Sequence, residues 1–269
     1  MTDWMLLPVL LAFGALVGFL AGLLGIGGGM TLVPLLTILF TARDFPADHV
    51  IHMAVATATA TMVFTAMSSM RAHQRKGAVL WPVVVAMGPG IIVGSLAGPQ
   101  IASALPTRVF AALFGAFTWF SAARMLVARE PKAGRELPGR TGLFGVGAGI
   151  GIVSSLVGAG GGFLSIPFLG RHNVKIHRAV ATSAALGLPI AVAATLGFII
   201  AGLRQPGLPR WSVGYVYLPA MSVIVVASML AAPAGASLAH RWPAVKLRRA
   251  FAALLVSLGG YMFWKSIRG

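Results

Sequence analysis

The sequence predicts an all-α polytopic membrane protein made of two inverted repeats of about five segments each, with a short Gly/Pro-broken helix in each repeat. Three observations predict it. The 269 residues are 58% hydrophobic and 10% charged, with a mean hydropathy of +0.89, whereas a soluble domain carries roughly 25% charged residues. Apolar stretches of about 20 residues recur from end to end, each long enough to cross a bilayer as a helix. A glycine-rich break, Gly25-Ile26-Gly27-Gly28-Gly29 with Pro34 beyond it, returns 133 positions later as Gly158-Ala159-Gly160-Gly161-Gly162 with Pro167 beyond it.

The first span covers residues 5–24 and carries Gly14, Gly18 and Gly22, a spacing that lets helix backbones approach closely in lipid. The N-terminus lacks the basic stretch of a signal peptide, so this span is expected to be retained. A short apolar piece follows the glycines at 30–41. Longer spans are expected at about 52–70, 78–98 and 108–127. The second half repeats the plan. Gly147, Gly151 and Ser155 echo the first glycine row, His52-Met-Ala-Val-Ala-Thr57 returns as His177-Arg-Ala-Val-Ala-Thr182, and Arg108-Val-Phe-Ala-Ala-Leu113 returns as Arg249-Ala-Phe-Ala-Ala-Leu254. Matches in this order along the whole length point to internal duplication. The domains read as a first repeat at 1–127, a charged cytoplasmic linker at 128–141 and a second repeat at 142–269.

Cation placement decides how the halves run. If each short piece counts as a segment, each half has five and the halves are inverted. One side then collects Arg71, Arg75, Lys76, Arg124, Arg129, Lys132, Arg135, Arg140, Arg171, Lys175, Arg178, Arg241, Lys246, Arg248 and Arg249, leaving Arg43, Arg108, Arg204, Arg210, Lys265 and Arg268 on the other. That asymmetry suits the cytoplasmic enrichment of Lys and Arg better than eight crossings in parallel halves does. Both termini are then expected outside. The formal charge of +16 is thus a matter of connectors and lipid heads rather than nucleic acid.

The chemistry points to an anion. Successive glycines can turn several N–H groups to one side, and a helix beginning beyond them adds its positive end. Broken backbone at membrane depth must be satisfied by protein, water or ligand, and paired breaks in two halves mark transporter binding sites. The candidate substrate-binding residues are therefore Gly25, Gly27, Gly28 and Gly29 with Gly158, Gly160, Gly161 and Gly162, joined by Thr57, Thr182 and Ser183 as hydroxyl donors. Close helix crossing is the competing role for the glycines, and a back-bond to the helix that for the threonines. His52 and His177 are candidates for a proton or anion relay, or else polar anchors at the interface. All five acidic residues, Asp3, Asp44, Asp48, Glu130 and Glu136, lie outside the spans, so the carboxylate of a cation carrier is missing. No cysteine is present, and no metal, cofactor or catalytic constellation is evident, so no enzyme is expected.

The paired GxGGG-x4-P elements (Gly25–Pro34 and Gly158–Pro167), the paired H-x-A-V-A-T openings and the basic connector Arg71-Ala-His-Gln-Arg-Lys76 resemble the sulfite exporter TauE/SafE family over essentially the whole chain. The resemblance implies a multi-pass permease of the bacterial inner membrane that moves sulfite, sulfoacetate or a related organosulfur oxyanion. The expected function is a secondary transporter working by alternating access, with the anion at the two glycine breaks. A passive anion channel on the same architecture is the alternative. The implied partners are a small anionic solute and membrane lipids, no nucleic acid, with a homo-oligomer left open.

Overall fold

A computed structural model describes residues 6–24, 28–127, 134, 136–239 and 244–268. Gly25, Gly27 and half of the 128–141 linker (128–133 and 135) therefore lie outside the described residues. The chain is all-α, as predicted. Its order is α1 (Leu6–Leu24), α2 (Gly29–Thr41), α3 (Val50–Arg75), α4 (Trp81–Ser103), α5 (Thr107–Val127), α6 (Arg140–Leu156), α7 (Gly162–Arg171), α8 (Ile176–Gly202), a hairpin of β1 (Ser212–Val213) and β2 (Val216–Tyr217), α9 (Leu218–Ala239) and α10 (Ala244–Arg268). Five apolar stretches, Val50–Arg75, Trp81–Ser103, Thr107–Val127, Ile176–Gly202 and Arg249–Ile267, are long enough to cross a bilayer. This is an integral membrane protein.

Small residues set the packing. A side chain on Gly14 would run into Ala227, and one on Gly18 into the Ser228 backbone, so α1 lies flush along α9. The same device joins α4 to α6: Gly90, Gly94 and Gly147 each touch opposing backbone at Phe144, Ala148 and Met87. Both contacts rise in number along both helices, so each pair runs parallel. These two pairs, α1 with α9 and α4 with α6, have the most extensive helix contacts, and each joins one half of the chain to the other.

The halves are consequently interlocked. One apolar core gathers α1, α2, the first half of α3, α5, the hairpin, α9 and α10. A second gathers α4, α6, α7 and α8. The first unit takes α9 and α10 from the opposite half, and the second takes α4. Between the units α3 packs on α8, and the two helices run antiparallel. Tyr215 shows this, since its ring stacks on His52 near the start of α3 while its amide reaches the Phe198 carbonyl near the end of α8.

The same geometry separates two ends of the molecule. At the hairpin end, His52 meets Ala102 at the close of α4, Thr107 at the start of α5 bonds the Asp48 carbonyl, and Lys265 of α10 donates to Thr41 at the end of α2 (2.8 Å). At the other end α3 and α7 finish and α4, α6 and α8 begin. Since α1 starts beside α9 and α2 finishes beside Tyr217, α1 and α2 form a helical hairpin that enters and leaves at one end.

The sequence missed the two-stranded hairpin. Pro209, Gly207 and Gly214 signal turns there. Gly202 and Gly214 press so closely together that neither has room for a side chain, and Gly214 adopts φ +55°. That contact folds the connector down onto the helix ends.

Candidate functional site

The two glycine breaks meet. α2 begins at Gly29 after the N-cap Gly28, and a Cβ on Gly29 would overlap the Gly158 carbonyl and lie 2.8 Å from the Met62 sulfur. Met62 is the twelfth residue beyond the start of α3, so the meeting point is about 18 Å along that helix at 1.5 Å per residue. Met62 also bridges to the second break, its Cε lying 3.4 Å from the Cβ position of Gly160, while Gly187 of α8 faces the Gly160 carbonyl. The centre of the α3–α8 pair thus holds both breaks.

Backbone geometry explains why glycine is used there. Gly158 (φ +58°) and Gly161 (φ +73°) are left-handed, a region that costs other residues about 1–2 kcal/mol. Gly161 caps α7, and a side chain on it would meet Ile190 Cδ1 at 2.5 Å. Ser165 fastens the first turn by donating to the Gly161 carbonyl (2.9 Å), and its oxygen lies 2.6 Å from Ser183 Oγ. Among the described residues, the amides of Gly160, Gly161, Gly162 and Phe163 have no backbone carbonyl partner. They are the first donors of α7, at its positive end.

The candidate residues therefore divide. Gly28 is pressed against Val17, Gly29 against Gly158, and Gly161 against Ile190, all with no room for a methyl group. Gly160 and Gly162 have ordinary spacing to their neighbours, Met62 and Ser183, and are half-buried rather than buried. Ser183 stands at the second break, paired with Ser165. The two threonine hydroxyls have backbone partners of their own. Thr57 Oγ1 accepts the amide of Tyr217 (3.1 Å) at the start of α9, and Thr182 Oγ1 accepts the amide of Leu80 (3.0 Å) at the start of α4. Each holds the N-terminus of the helix taken from the opposite half.

The histidines also part company. His52 is 2% exposed, with Nε2 2.9 Å from the Ala102 carbonyl and its ring between Tyr215 and Phe110. His177 is exposed at the first turn of α8, away from the breaks. Sequence reasoning missed Met62, Ser165 and Tyr215. Ser165 was legible as the fourth residue of the α7 motif, where a hydroxyl can back-bond to its helix; nothing in the sequence marks Met62 or Tyr215. Burial pushes the Tyr215 phenol above its ordinary value, so it is neutral at physiological pH.

The family profile of the sulfite exporter TauE/SafE family matches residues 10–262, both breaks included. The chain is a member of the TauE/SafE family. It is 32% identical over 257 residues to a probable membrane transporter protein of Haemophilus influenzae, covering 95% of this chain and 97% of that protein. It is 28% identical over 245 residues to the probable membrane transporter protein YdhB of Bacillus subtilis, covering 87% and 91%. A probable membrane transporter protein of Methanocaldococcus jannaschii is 24% identical over 260 residues, with 96% of each chain covered. No solved structure matches this TauE/SafE chain significantly. Membership assigns the protein a role in membrane transport.

Proposed function

We propose that this protein is a secondary transporter of a small oxyanion, with sulfite, sulfoacetate or a related organosulfur anion as its cargo, in a bacterial inner membrane. The observation that carries the reading is the meeting of the two glycine breaks at the centre of the α3–α8 pair, beside the unpartnered amides that open α7. Such amides and the helix dipole favour an anion without a cationic side chain. The half-buried Gly160 and Gly162 are the approach to them, and Ser183 lines the edge.

On this reading the halves are inverted, in keeping with the antiparallel α3 and α8. The units that move are the two apolar cores, the first with α9 and α10 and the second with α4, because α1–α9 and α4–α6 are locked backbone to backbone. Sliding at the α3–α8 seam would open the site alternately to each end. The reading assigns no catalytic step.

Proteoliposomes carrying the purified chain test it with radiolabelled sulfite, sulfate, thiosulfate, sulfoacetate and taurine. A carrier gives saturable uptake and counterflow, in which unlabelled anion inside accelerates entry of labelled anion. Flux that rises linearly with concentration and shows no counterflow would identify a channel instead.

A further inference from the structure

Among the described residues, five buried side-chain polar atoms have no hydrogen-bond partner, and three of them, His49 Nδ1, His52 Nδ1 and Ser212 Oγ, belong to the hairpin end. His52 is the deepest. A carbonyl can only accept, so the 2.9 Å contact with Ala102 places the hydrogen on Nε2 and leaves Nδ1 as a bare lone pair. The ring stacks on Tyr215 (5.4 Å between centroids, 25° between planes) and leans on Phe110 (5.0 Å). Tyr215 is 1% exposed and rides on the hairpin, which Thr57 pins through Tyr217. Below this seal every residue of α3 from Val50 to Met62 is buried. The hairpin end is closed.

The groups facing His52 are few. His49, at the N-cap of its own helix, is 6.3 Å away between ring centroids, and Tyr215 is the other titratable neighbour. α5 presents Phe110, and the surrounding backbone presents the Ala102, Leu105 and Asp48 carbonyls. The Asp48 and Arg108 side chains are exposed. No carboxylate is therefore buried with the ring to neutralise it. A proton on Nδ1 would place a charge inside an aromatic box where only backbone carbonyls face it and no counter-charge is buried, and attraction to the two rings recovers only part of that cost. The charged ring needs water, and the hairpin must lift to admit it.

We propose that His52 is the coupling-proton site of the transporter: a proton taken up at Nδ1 from the hairpin end releases Tyr215 and opens that end to the anion. This rests on the transport reading above. His177, its counterpart, is exposed and carries no such coupling.

The full chain in proteoliposomes, with radiolabelled sulfite as probe, is compared with His52→Gln, whose amide can still donate to Ala102 but takes up no proton. A one-unit pH gradient drives up to about tenfold accumulation per coupled proton. Wild type should accumulate sulfite on an acid gradient. His52→Gln should reach only equilibrium while keeping counterflow. Since the chain has no cysteine, a single Ala54→Cys beneath the seal reports opening through an impermeant thiol reagent, normalised to the exposed Asp44→Cys. Its labelling should be faster near pH 5.5 than near pH 7.5, either side of the ordinary imidazole range, and lose that dependence with His52→Gln. Gradient-driven accumulation or pH-dependent labelling that survives in His52→Gln would overturn the inference and leave the transport reading standing. Absence of counterflow in wild type would overturn the transport reading, while the labelling result still decides the role of His52. If His52→Gln loses counterflow as well, the labelling comparison alone decides.

Discussion

α2 and α7 are copies of one motif, yet they live in different surroundings. Ten of the 13 residues of α2 are buried, against two of the 10 in α7. The difference comes from neighbours rather than from the motif. α2 is roofed by α10, by the Lys265–Thr41 bond and by an aromatic cluster in which Phe40, Phe45 and Tyr217 meet at 4.6–5.8 Å. Among the described residues α5 gives α7 no roof of that extent. The hairpin deepens the asymmetry, since the α3–α4 connector has no strands to match it. α2 is thus enclosed within the hairpin-end core, while α7 leaves most of its residues only half-buried.

The largest effects that sharpen this comparison lie at the breaks. Gly29→Val and Gly161→Val should abolish sulfite uptake while membrane levels stay near wild type. The first collides with the Gly158 carbonyl, and the second with Ile190 at a left-handed backbone position. Overpacking costs about 1–3 kcal/mol and the left-handed strain about 1–2 kcal/mol more. Gly160→Ala, with Met62 at 3.4 Å, should retain uptake. Equal loss in Gly160→Ala would mean that crowding at Gly29 and Gly161 is not what matters.

A middling effect is expected at the threonines. Thr57→Val and Thr182→Val each strand a backbone amide that the hydroxyl now accepts. Thermal unfolding in detergent should show a loss of about 1–3 kcal/mol. Thr57→Val should be the worse, because its bond is buried and that of Thr182 only partly so. If both substitutions are silent, the borrowed helices α4 and α9 are held by their glycine contacts alone.

The smallest effect separates the histidines. His177→Ala should change stability by no more than about 0.5 kcal/mol, as exposed surface substitutions do, and leave the pH profile of uptake unaltered. A His177→Ala variant that loses pH dependence would move the proton site to the second half and undo the contrast with His52.

Much of the fold was legible. Apolar length identified the helices, and the glycine rows identified which faces pack closely, because spacing and composition are local quantities. The candidate site was legible in outline, since two breaks in matching places announce that something is shared between them. Its detail was not. The threonines read as donors toward a ligand, and nothing in their own segments showed that they also accept from the amides of Tyr217 and Leu80, residues 160 and 102 positions away. Equivalent histidines looked equivalent, and only one met an aromatic box.

The chain by itself determined the class of protein, the helices and the two glycine-rich interruptions, because each depends on residue type and short-range period. Only the tertiary structure decided that α9, α10 and α4 change sides, that Gly29 seats on Gly158, and that Tyr215 closes over His52. Those outcomes follow from which surfaces fit when distant segments are brought together, and no periodicity within one segment encodes its partner.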